Sequence, residues 1–132
     1  MRIEPTFQQP QFKGYNCILK DMYKDGVLPS VKIGLYGGKL SKYTVSLEHI
    51  RPASKGGSTA LKNMALATRD NNRLRGNRDI NNYLTNTMLY NYLVQFQNLI
   101  VKYKGKVFNG NKYIANIIST LKKVGFEGLW YN

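Results

Sequence analysis

The chain has 132 residues, with 20 Lys and Arg against 7 Asp and Glu, a formal charge of +13, one His and one Cys. Such a length supports one core rather than two, the charge points to a polyanionic partner, nucleic acid first, and a lone Cys excludes an internal disulfide or a Cys-based metal knuckle. An apolar fraction of 42% argues against disorder, no run of about 18 apolar residues is present to span a bilayer, and residues 1–11 hold Glu4, Pro5 and Pro10 rather than a secretory core, so a cytoplasmic location is expected.

In chain order, Phe12, Tyr15, Ile18, Leu19 and Met22 recur at helical spacing and predict a helix from Pro10 to Asp25, capped by Gly26. Cys17 in that helix reads as a small buried hydrophobe. Pro29, Gly34, Gly37 and Gly38 then punctuate the chain and leave room for turns and a short strand around Ile33. Tyr43, Val45 and Leu47 alternate with Thr44, Ser46 and Glu48, which predicts a strand delivering Glu48 and His49 at its end. A loop follows through Pro52, Gly56 and Gly57, whose glycines read as turn requirements. Asn63–Ala67 then reads as a second short strand and Thr68–Arg75 as a short helix. Leu84, Met88, Leu89, Tyr92, Leu93, Phe96, Leu99, Ile100 and Tyr103 keep a 3.6-residue period, predicting one long helix with Asn81 or Asn82 as N-cap and Gly105 as its stop. A last helix is predicted over Asn111–Val124, its stripe formed by Tyr113, Ile114, Ile117, Ile118, Leu121 and Val124. Both stripes read as core packing, and Lys122 and Lys123 suit the helix dipole as well as phosphate.

Everything specific in chemistry lies between Tyr43 and Asn77. The only His sits directly after Glu48, with Asn63, Asn72 and a dense set of bases around it; residues 39–78 hold nine bases and two acids. Cations in that number are expected to keep Glu48 ionised, as a hard oxygen ligand. Phosphodiester hydrolysis needs a base for the attacking water and neutralisation of charge on the phosphoryl and leaving oxygens. A neutral imidazole suits the first task. A Mg²⁺ ion (or Mn²⁺) held by one or two protein oxygens suits the second, whereas Zn²⁺ would want more His or Cys than the chain owns. Neighbouring residues on a strand face opposite ways, so the strand is expected to end or bend at His49.

The pattern Glu48-His49-Ile50, Pro52, Ser54, Gly56-Gly57, Asn63, Leu66, Asn72 and Arg75-Gly76-Asn77 resembles the HNH endonuclease motif, the ββα-metal module of homing endonucleases, phage nucleases, some restriction enzymes and CRISPR RNA-guided nucleases. It covers about 35 residues, with a looser match back to Gly34. The resemblance implies a ββα-metal core over residues 43–77; with the N-terminal helix and turns within 1–42 and the two wrapping helices over 78–132 read from periodicity, an α+β chain of one domain is expected. It also implies that His49 is the general base, Glu48 and Asn72 bind the metal (with Asn71 and Asp70 as register alternatives), and Asn63 holds the loop that orients His49. Arg73 or Arg75 would clamp the phosphate. Arg69 and Arg75, three positions to either side of Asn72, would share its helix face. The product would be a nick with 5′-phosphate and 3′-hydroxyl ends.

Many family members pin this module with two Cys-x-x-Cys zinc knuckles. Gly34, Gly37, Thr68 and Asn71 stand at those positions here, so no structural zinc is expected and the terminal helices must supply the scaffolding. Arg51, Lys55, Lys62, Arg69, Arg73, Arg75 and Arg78 form the expected nucleic-acid surface. Tyr36, Tyr43, Tyr83 and Tyr90 are candidates for base stacking or for packing. The reading is a metal-dependent endonuclease acting on double-stranded DNA as a monomer or homodimer, with a phage or mobile element as the expected source. The alternative is a non-catalytic nucleic-acid-binding or phage structural protein with an HNH-like fold. No added DNA-reading module is visible, so modest sequence preference is expected.

Overall fold

A computed structural model describes residues 18–128. The predicted first helix is helical over 18–24, called α1 here; its expected residues Phe12, Tyr15 and Cys17 lie outside the described residues. Leu19 and Met22 carry its apolar stripe into the core, both fully buried. The stretch around Ile33 forms a single antiparallel bridge, Ile33 to Lys39, in place of a strand.

Two antiparallel strands follow, β1 (Val45–His49) and β2 (Met64–Thr68), in a register that pairs Val45 with Thr68, Leu47 with Leu66 and His49 with Met64. Tyr43 and Thr44, expected at the start of the strand, lie in the turn that precedes it, and Asn63 closes a short 3₁₀ turn, Leu61–Asn63, before β2. Helix α2 (Arg69–Arg75) leaves β2 directly, with the Thr68 hydroxyl accepting from the Asn71 backbone N–H as N-cap. The local order is therefore strand, loop, strand, helix.

The predicted long helix over residues 84–103 is a correction. Helix α3 (Asn86–Leu93) is capped by Thr85, not by Asn81 or Asn82, and continues only as a 3₁₀ turn through Phe96. The chain then reverses into a second sheet, β3 (Ile100–Tyr103) and β4 (Lys106–Asn109), joined by Lys104 and Gly105 at φ of 50° and 80°. That pair of left-handed residues makes a two-residue hairpin turn. The period misled because Leu99, Ile100 and Tyr103 fall at helical spacing by coincidence. Val101, Val107 and Phe108 are strand formers, and Gly105 is a turn rather than a stop. Gly110 is required where the hairpin meets helix α4 (Gly110–Lys123), since a Cβ there would lie 1.9 Å from the Phe96 carbonyl oxygen. Among the described residues no helix is long and apolar enough to cross a membrane.

The core joins these elements around β2. Ala65, Leu66 and Ala67 are fully buried in one cluster with Tyr92, Phe96, Tyr113, Ile117 and Leu121. The edge of β2 turned away from β1 has backbone groups to satisfy. Leu35 N–H donates to Leu66 O at 2.9 Å, Leu66 N–H donates to Tyr92 OH at 3.0 Å, and Tyr113 OH donates to Met64 O at 2.8 Å. Because the Tyr113 proton is committed to Met64, Tyr92 donates across the 2.8 Å contact between the two hydroxyls. Two phenols thus stand in for a third strand.

Burial pushes both phenols well above the ordinary tyrosine range. Their contribution to stability is fully present below about pH 10, the unfolded value, and is lost as pH rises toward the higher folded values. In an alkaline titration followed by phenolate absorbance, Tyr92 and Tyr113 are expected to ionise only together with loss of helical circular dichroism. Ionisation of all ten tyrosines with the helical signal intact would contradict the network.

Candidate functional site

The loop between β1 and β2 is organised by Asn63, which is 3% exposed. Its side-chain oxygen accepts from Arg51 N–H at 2.9 Å, and its Nδ2 donates to Arg51 O at 3.1 Å and Ser58 O at 2.7 Å. Its backbone carbonyl accepts from Ile50 N–H at 2.9 Å. One amide therefore fixes the chain on both sides of the loop, immediately after His49. Gly57 is needed in the same turn, because a Cβ there would sit 1.8 Å from Arg51 O. Asn63→Ala leaves a backbone donor and two carbonyls without partners, and is expected to cost about 1–3 kcal/mol. Urea denaturation measures this directly, and a change below about 0.5 kcal/mol, the usual range for surface substitutions, would contradict the bracing role.

β1 ends at His49 and the chain bends at Ile50 and Arg51, as the opposite facing of Glu48 and His49 requires. His49 is half-buried. Its Nε2 is fully covered and, among the described residues, is the one buried side-chain polar atom without a hydrogen-bond partner. Burial pushes the imidazole below its ordinary range, which favours the neutral, base-competent form.

One face of α2 runs along β1 in three steps. Arg69 Nη2 donates to Tyr43 O at 2.7 Å, and Asn72 Nδ2 donates to Ser46 Oγ and Leu47 O, both at 2.8 Å. Arg75 then donates to Glu48 Oε2 at 3.1 Å, His49 O at 2.9 Å and Ile50 O at 3.1 Å. The shared face of Arg69, Asn72 and Arg75 is real, but it is turned onto β1 rather than outward.

This corrects the reading of Arg75 as a phosphate clamp or nucleic-acid contact. Its side chain is 2% exposed and its guanidinium is further engaged by Tyr36 OH at 3.3 Å and Arg78 O at 2.9 Å. The expectation for Glu48 changes as well. Surrounding surface cations do not govern it, because the carboxyl is 3% exposed and burial raises its pKa. Hydrogen bonds from Tyr36 and Arg75 and the Arg75 charge act in the opposite direction, and the pair is an internal salt bridge. Of the two roles open to Tyr36, stacking on bases or packing, the structure shows packing. It is buried, packs edge-on against the Tyr83 ring at 4.8 Å and donates its hydroxyl to Glu48. Nothing in the spacing of residues 36 and 48 announces that contact. Tyr43 and Tyr90 are exposed at 83% and 68%.

The other predicted cations are exposed. Arg73 lies 3.9 Å from Asp70, Arg51 Nε donates to Lys55 O at 3.1 Å, Arg78 donates to Leu74 O, and Lys62 projects from the turn before β2. Arg51 and Lys55 line a cleft of about 340 Å³ with Asp79 and Lys123. Arg69 and Arg73 line another of about 430 Å³ with Lys39, Asp70 and Asn71. Gly37 and Asn71 meet beside the second cleft, where Asn71 Nδ2 donates to Gly37 O at 3.4 Å.

The donor set suits a hard divalent cation in part. Asn72 Nδ2 is fixed on β1, which leaves Oδ1 as the acceptor of that amide, whereas the buried Glu48 carboxylate is held by Tyr36, Arg75 and the His49 backbone N–H. Two oxygens with water and phosphate completing the shell match Mg²⁺ better than Zn²⁺. No protein-family model matches the chain, and neither a curated protein nor a solved structure does.

Proposed function

We propose that the chain is a metal-dependent HNH-type endonuclease that hydrolyses DNA phosphodiester bonds, nicking one strand per encounter. The observation that supports it is the braced loop: Asn63 ties down the backbone directly after His49, while α2 lays Asn72 against the strand carrying Glu48. In this reading His49 takes the proton of the attacking water. Asn63 holds the His49 segment in place, and Arg75 fixes Glu48 together with the carbonyls of His49 and Ile50. Glu48 and Asn72 would hold Mg²⁺ or Mn²⁺, which when bound supplies neutralisation of charge on the phosphate oxygens. Of the two arginines expected to clamp the phosphate, Arg73, exposed on α2, is the one left for that contact.

A second reading, a non-catalytic nucleic-acid-binding or phage structural protein with an HNH-like fold, is favoured by two observations. The Glu48 carboxylate is already engaged by an internal guanidinium, and His49 Nε2 is covered. Supercoiled plasmid separates the two. The endonuclease reading expects conversion to the open-circular form with Mg²⁺ or Mn²⁺ and none with EDTA, the nicks being sealed by DNA ligase. Tight DNA binding without cleavage across divalent metals would establish the second reading.

A further inference from the structure

The β3–β4 hairpin is the element that helical periodicity concealed, and its surface is unusual. Its inner face is anchored: Phe108 packs on Phe96 and Tyr113 at 6.1 and 5.5 Å, and Tyr103 OH donates to Asp25 at 2.5 Å. Its outer face is not covered by any described residue. Ile100 and Val107 are exposed at 69% and 63%, with Lys102 directly across from Val107. Lys102, Lys104 and Lys106 are all exposed near the tip. The surrounding sequence has one sign only, since residues 80–126 contain six lysines and no Asp or Glu. The neighbouring acid Asp25 is occupied by Tyr103. Beside Lys102 and Asn109, which suit a solvated face, the outer face carries two exposed β-branched residues.

We propose that the β3–β4 ribbon docks in the major groove of duplex DNA, with Lys102 and Lys104 on phosphates and Ile100 and Val107 toward the base edges. A two-stranded ribbon fits the major groove of B-form DNA, where thymine presents a methyl group to apolar side chains. Lysines at the ribbon edge and tip contact the phosphates that fix its register. The narrow major groove of A-form RNA does not admit it. The ribbon answers the missing reading module: base preference comes from a hairpin outside the β1–β2–α2 unit. The proposal takes from the endonuclease reading only the class of partner.

Its test is equilibrium binding of labelled duplex by fluorescence anisotropy over a series of salt concentrations, in EDTA so that cleavage plays no part. Lys102→Gln with Lys104→Gln is expected to reduce the slope of log K against log salt by about 1.8, two phosphate contacts at about 0.9 each. The charge-matched control, Lys24→Gln with Lys32→Gln, is expected to leave it unchanged. Val107→Ser is expected to alter the bases enriched in a binding selection while keeping the slope. Equal slope losses in the two double variants, an unchanged slope in the ribbon variant, or equal competition by duplex RNA would overturn the proposal. So would conversion of a dimer to a monomer by Val107→Ser with DNA binding intact, which would assign the face to a second copy. A wild-type protein that binds with this pattern but never nicks leaves the ribbon standing and removes the endonuclease reading. Nicking by variants that keep the full slope does the reverse.

Discussion

Arg75→Ala is expected to destabilise the protein by about 3–5 kcal/mol, the usual cost of removing one partner of a buried ion pair, against a total stability of about 5–15 kcal/mol for a domain. The guanidinium serves more groups than Glu48 alone. Its removal strands a carboxylate that is 3% exposed and also takes the donors from the His49 and Ile50 carbonyls. The distribution of that cost is open to measurement by urea denaturation in metal-free buffer. If the ion pair carried the whole effect, Glu48→Gln combined with Arg75→Met would restore the wild-type midpoint, since neither partner is then left as an uncompensated buried charge. Two carbonyls left without donors, at about 1–3 kcal/mol each, make the expected recovery partial. Arg75→Lys should fall between wild type and alanine, because an ammonium lacks the planar fork that reaches several acceptors at once. A fully exposed, phosphate-clamping Arg75 would produce none of this ordering: its variants would keep the midpoint and lose only DNA affinity.

The case of Arg75 also shows where the sequence stopped being legible. Position along α2 was readable, because a helix fixes which side chains share a face: Arg69, Asn72 and Arg75 do share one. Which way that face turns was not, because the choice between β1 and solvent depends on what the strand offers. The Ser46 hydroxyl, the Leu47, His49 and Ile50 carbonyls and the Glu48 carboxylate offer that face five acceptors. The strands and α2 were legible to within two residues, since alternation and turn residues pointed the same way. The β3–β4 hairpin was illegible for the opposite reason, its residues satisfying a helical period and a strand pattern at once. Only the close approach of Gly110 to Phe96 and the left-handed Lys104-Gly105 pair distinguish them, and both are properties of the folded chain. Asn63 was identified through its place in the motif, whereas Tyr36 reaches Glu48 through a tertiary contact that no spacing rule encodes.

His49→Ala is expected to lower the nicking rate by about 10²–10⁴-fold, the range supplied by a positioned general base, while leaving DNA affinity in EDTA unchanged. The structural consequence should be small, unlike that of Arg75. A histidine retained for packing would be hydrogen-bonded when buried, and its removal would orphan a partner. Here Nε2 is covered with no partner among the described residues, so truncation breaks no hydrogen bond through that atom. It instead relieves the burial of an unsatisfied polar nitrogen, a change that mutational data place at about 1–3 kcal/mol and that offsets the packing lost with the ring. The unfolding midpoint of His49→Ala is therefore expected within about 1 kcal/mol of wild type, beside a rate that has nearly vanished. His49→Phe, which keeps the ring volume without the nitrogens, should be at least as stable as wild type and equally inactive. Loss of activity with a parallel loss of stability in both variants would assign His49 to the scaffold. Full activity in either would remove His49 as the base of the proposed reaction.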